Sequence, residues 1–162
     1  MSMDLICEQG WGFNGYALKN VTDEAKISFV EEKGLYLLKK QGLYDEFKNA
    51  SQEEKLKIIE NDLEGYNDFC GFIAVLAQII GDDLFSLNEN GFGTGIQVIY
   101  GYDEDENSQS VLLPVGMPWQ FNEDERNTLT SIDAAQAVFQ PYVDMLGVSN
   151  AKIDFVQSYF FG

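Results

Sequence analysis

Phe69-Cys70-Gly71-Phe72-Ile73-Ala74-Val75-Leu76-Ala77-Gln78-Ile79-Ile80 is the stretch on which the fold turns. Phe69, Cys70, Phe72, Ile73, Val75, Leu76, Ile79 and Ile80 leave it almost no polar side. A helix that is apolar nearly all round belongs at the centre of a core. The reading is therefore a buried helix from roughly Tyr66 to Ile80, stopped by Gly81. The run is too short to span a bilayer, which takes about 20 apolar residues.

Upstream of it, Ser51-Gln52-Glu53-Glu54 is a capping box, and Leu56, Ile59 and Leu63 follow at helical spacing. Thr22-Asp23-Glu24 places an N-cap before two acids and predicts a helix ending near Gln41-Gly42, with Gly34 inside it. Glycine at that position weakens a helix by about 1 kcal/mol relative to alanine. From Met1 to Val21, glycines and aromatics punctuate the chain, as in Gln9-Gly10-Trp11-Gly12-Phe13-Asn14-Gly15-Tyr16, and the stretch reads as a short strand or two joined by turns.

Downstream, Asn90-Gly91-Phe92-Gly93-Thr94-Gly95 is a turn and Ile96-Gln97-Val98-Ile99-Tyr100 a strand. Val111-Leu112-Leu113 is its hairpin partner across a polar loop. Thr130-Ser131-Ile132-Asp133 caps a last helix with the stripe Ile132, Ala135, Phe139, Tyr142 and Leu146, kinked at Pro141 and ended by Gly147. Ile153 to Phe160 closes the chain as a strand. Helices first and strands later predict an α+β fold, a helical N-terminal and central part packed on a small antiparallel sheet. At 162 residues this is a single domain, with a subdivision into a mostly helical lobe over 1–81 and an acidic hairpin, helix and closing strand over 82–162.

The charge is strongly uneven. The formal net charge is −17, with no histidine anywhere. Residues 1–57 carry ten Asp/Glu against eight Lys, and residues 58–162 carry seventeen against Arg126 and Lys152 alone, a net −15. With 45% apolar and 14% aromatic residues, the chain lacks the low hydrophobicity of disordered acidic segments and is expected to fold. Met1-Ser2-Met3-Asp4-Leu5 has no basic n-region or apolar h-region, so no signal peptide is expected. Two isolated cysteines, Cys7 and Cys70, form no disulfide framework or CxxC site, which fits a soluble intracellular protein with reduced thiols.

Without histidine there is no Ser–His or Cys–His pair, no imidazole base and no His-based metal site. Cys70 reads as an inert core cysteine. Asp103-Glu104-Asp105-Glu106-Asn107 opens like a calcium loop, but its sixth position is Ser108 and its twelfth Pro114, where glycine and a bidentate Glu are required. Gly91-Phe92-Gly93-Thr94-Gly95 precedes a strand instead of opening a helix and has no lysine nearby, unlike a phosphate loop. No metal or cofactor is expected. Affinity for nucleic acid needs cations that this chain lacks, and the lysines between Lys19 and Lys57 read as solvated helix faces with i,i+4 pairs. Paired carboxylates beside Trp11, Trp119, Tyr100 and Tyr102 would serve a carbohydrate hydrolase; with 27 acids such a pairing arises by chance, and the reading is not an enzyme.

The acidic loops remain: Asp82 and Asp83, then Asp103, Glu104, Asp105 and Glu106, then Glu123, Asp124 and Glu125. Closely spaced carboxylates carry the sign of a phosphate backbone and attract basic channels quickly and in a salt-dependent way. Trp119, Phe121 and Tyr102 are candidate anchors, since aromatic residues dominate interface hot spots; Trp119 and Phe121 equally suit a core.

Met117-Pro118-Trp119-Gln120-Phe121-Asn122-Glu123-Asp124-Glu125-Arg126, then Leu129-Thr130, a helix carrying Tyr142, and the closing Val156-Gln157-Ser158-Tyr159-Phe160-Phe161-Gly162 together resemble the tail of small uncharacterised proteins of phages and mobile elements of Gram-positive bacteria. The resemblance covers about 117–162 and carries over no functional residue. It implies a phage-borne accessory protein in the cytoplasm of an infected host, and small acidic proteins of that kind look like anti-CRISPR or anti-restriction inhibitors. The expected partner is a basic protein, such as a CRISPR effector or another nuclease, with no direct nucleic-acid or membrane contact. A toxin-neutralising immunity protein and a phage structural or assembly component are the other readings.

Overall fold

Residues 5–14, 18–83, 97–100, 109–114, 132–149 and 151–161 are described by the computed structural model. Thr22 caps the first helix, α1 (Asp23–Lys33), its Oγ1 accepting the Ala25 N–H at 3.1 Å. The single helix expected from Thr22 to Gln41 is two, with α2 (Leu35–Lys40) starting after Gly34. The break lies at a close approach: a Cβ on Gly34 would stand 2.9 Å from Ile79 Cδ1 and 3.1 Å from Val30 Cγ1. Gly42, at φ +73°, ends α2 as expected. Leu43 N–H returns to the Leu38 carbonyl and Gly42 N–H to the Lys39 carbonyl, the paired bonds of a Schellman motif.

A short helix, α3 (Tyr44–Asn49), leads to α4 (Gln52–Lys57). The capping box at the start of α4 is complete: Glu54 N–H donates to Ser51 Oγ at 3.2 Å, and Ser51 N–H donates to Glu54 Oε2 at 3.1 Å. Ile58–Asp62 continues as one π-helical turn, closed by Leu63 N–H on the Ile58 carbonyl at 2.8 Å. The widened turn buries Ile58, Ile59 and Leu63 together.

The apolar stretch forms α5, but only from Phe72 to Asp83. Gly81 lies inside this helix and does not stop it, and Phe69 and Cys70 fall before it, after a 3₁₀ turn at Tyr66–Asp68. Phe72, Ala74, Val75, Leu76, Ala77, Ile79 and Ile80 are buried, as a central helix requires. The last helix, α6 (Ile132–Met145), runs through Pro141 and ends in a second Schellman motif at Gly147, with Phe139, Tyr142, Val143 and Leu146 buried.

The expected α+β class is corrected by this core. The part of the chain whose side chains are described is predominantly helical and holds no sheet. Its buried apolar residues, from Leu18 through Phe29, Leu38, Ile59, Leu76 and Phe139 to Ile153, lie in helices or their connecting segments. The physical reason is the all-round apolar surface of α5. Such a helix needs neighbours on several sides, and among the residues whose side chains are described these come from other helices, the π turn and the connecting segments.

Four further segments have paired backbones: β1 (Leu5–Asn14), β2 (Gln97–Tyr100), β3 (Gln109–Pro114) and β4 (Asp154–Phe161), in the order β2-β3-β1-β4. All three ladders are antiparallel. The N-terminal stretch, read as a short strand or two, is one strand of ten residues. The hairpin partners named from sequence do pair, with Val98 opposite Val111.

Candidate functional site

Of the acidic groups singled out in the sequence, Asp82 and Asp83 are described. They end α5, where the carbonyl ends of the helix dipole already carry partial negative charge. Two carboxylates there need donors, and three other helices supply them. Tyr36 of α2 donates its hydroxyl to Asp82 Oδ2 at 2.6 Å, and Gln78 Nε2 donates to Asp82 Oδ1 at 3.0 Å. Tyr142 of α6 donates to Asp83 Oδ2 at 2.5 Å, and Lys33 Nζ at the end of α1 lies 3.9 Å from the same oxygen. Both phenols are held well above the ordinary tyrosine range, first by burial, then by the hydrogen bond and the neighbouring aspartate charges. The pair is thus committed to tying α1, α2, α5 and α6 together.

Tyr142→Phe is expected to cost about 1–2 kcal/mol, since it removes a hydrogen bond to a charged acceptor without changing the ring packing. A raised phenol pKa means that the folded state holds its proton more tightly than the unfolded chain. The stabilisation is therefore complete below about pH 10, the ordinary tyrosine value, and declines as pH rises beyond it. Denaturant unfolding of both proteins between pH 7 and 11 checks this: the gap between them should be constant up to about pH 10 and narrow above it.

Four lysines of the helical lobe are engaged by its own acids and rings. Lys26 Nζ pairs with Glu60 Oε1 at 3.2 Å, Lys55 Nζ with Glu31 Oε1 at 2.7 Å and Lys57 Nζ with Glu53 Oε1 at 3.7 Å. Lys39 Nζ lies 4.7 Å from the centre of the Tyr44 ring. The other oxygen of Glu60 accepts the Phe72 N–H at 3.4 Å, so one carboxylate serves a lysine and the first turn of α5.

Between the π turn and α5 the chain makes a tight loop that the sequence reading missed. Glu64 and Cys70 form an isolated antiparallel bridge, and Gly65 N–H donates to the Phe69 carbonyl at 2.8 Å. Gln41 clamps the base of the loop: its Oε1 accepts the Glu64 N–H at 2.8 Å and its Nε2 donates to the Glu64 carbonyl at 2.7 Å. Asp68 has φ +60° and Gly71 φ +112°. The continuous helix expected over Tyr66–Ile80 breaks here because both residues adopt left-handed backbone conformations. As a result Phe69 is 51% exposed, and Cys70 is an exposed free thiol instead of a buried core cysteine. The available signals were Gly65 and Gly71 bracketing Asn67-Asp68, a turn-forming composition inside an otherwise apolar run.

The remaining partner-binding candidates, Tyr102, Asp103, Glu104, Asp105, Glu106, Trp119, Glu123, Asp124 and Glu125, lie outside the described residues, as do Phe121 and the Gly91–Gly95 turn. Of the calcium-like stretch, Pro114 is described, as the end of β3 opposite Gly10. Among the described residues no group of three or more His, Cys, Asp or Glu is placed to hold a metal ion, and no helix is long and apolar enough to cross a membrane. No protein-family model matches the chain, and neither a curated protein nor a solved structure does.

Proposed function

We propose that this chain is a non-enzymatic inhibitor of the anti-CRISPR or anti-restriction kind, which docks an acidic surface on the basic nucleic-acid-binding surface of a nuclease. The observation that carries the reading is the separation of charge along the chain. Residues 58–162 hold a net −15. Among the described residues the ion pairs reach only Glu60 and Asp83 of those acids, through Lys26 and Lys33, while Lys55 and Lys57 pair with Glu31 and Glu53. A field of this sign repels nucleic acid and accelerates association with a basic groove by about 10-fold or more at low salt. Occupying such a groove excludes its substrate without any chemistry.

The test uses purified nucleases with basic channels, an RNA-guided effector and a restriction endonuclease, each with its DNA as competitor. Inhibition should weaken steeply with salt. Replacing Asp103, Glu104, Asp105 and Glu106 by Asn or Gln should slow association about tenfold at low ionic strength and much less at high. An affinity indifferent to salt, or untouched by the four substitutions, would overturn the electrostatic mechanism.

A further inference from the structure

We draw no further inference here: the strongest candidate, the exposed Cys70 thiol on the loop between the π turn and α5, is a lone cysteine with no second observation beside it that points to a ligand or partner.

Discussion

Phe29→Ala is expected to cost about 3–5 kcal/mol, a large part of the 5–15 kcal/mol that holds a typical domain together. Phe29 is fully buried in α1 and meets the Phe72 ring edge-on, with centroids 6.3 Å apart at 85°. Removing it takes away the burial of a whole ring and leaves a cavity at the joint between α1 and α5. The surroundings cannot readily close it. Phe72 is held at its main chain by Glu60 and at its ring by Lys26, whose Nζ lies 5.6 Å from the ring centre. Lys26 is in turn fixed on Glu60, so inward movement of Phe72 disturbs an ion pair as well as a packed contact. Phe29→Leu keeps much of the volume and should cost well under half as much. Urea unfolding followed by circular dichroism reads the difference. A loss below about 1 kcal/mol for Phe29→Ala would show that this joint is not a packed core.

Local chemistry was legible in the sequence and long-range chemistry was not. Thr22, the Ser51–Glu54 box and the Gly42 and Gly147 ends work within a few residues of themselves, and each acts where its side chain or missing side chain predicts. Gly34 shows the limit. It was visible as a weak point in a helix, but its reason, the proximity of Ile79, lies 45 residues further along the chain. The same holds for Asp82 and Asp83. They were read as loop acids beyond a helix stop at Gly81, whereas Tyr36 and Tyr142 reach them from 46 and 59 residues away. Those donors stabilise the last turn of α5, which therefore continues past Gly81.

The Phe69 loop was missed for a related reason. Hydrophobic periodicity counts Phe69 and Cys70 as helical because apolar neighbours follow them, and it cannot register a backbone that turns left-handed at Asp68 and Gly71. The fold class was misjudged at the level of layers. The backbone-paired segments fall near the expected strands, but their positions along the chain do not say what packs where, and the core among the described side chains is made by helices and their connections.

Gly65→Ala should be the most disruptive single-atom change in the helical lobe, at about 3 kcal/mol. Gly65 has φ −113°, outside the left-handed region. The cause is a wall: an added Cβ would stand 2.2 Å from the Ala74 carbonyl carbon, 2.3 Å from its oxygen and 2.3 Å from Val75 N. These are main-chain atoms of α5, and no rotamer change can clear them. Trimming the neighbour, Ala74→Gly, should therefore rescue nothing. Either α5 or the loop has to move. Moving the loop strains the Glu64–Gln41 clamp and the Gly65–Phe69 hydrogen bond, while moving α5 opens the core around Val75 and Leu76. Gly42→Ala separates this steric effect from a conformational one. Gly42 has φ +73° but open space around its Cβ position, so alanine there should cost only about 1–2 kcal/mol. Thermal unfolding of the three variants orders them: Gly65→Ala well below Gly42→Ala, and Gly65→Ala/Ala74→Gly no better than Gly65→Ala. If alanine is accepted at 65 with a wild-type melting temperature, the loop does not pack against α5 as described.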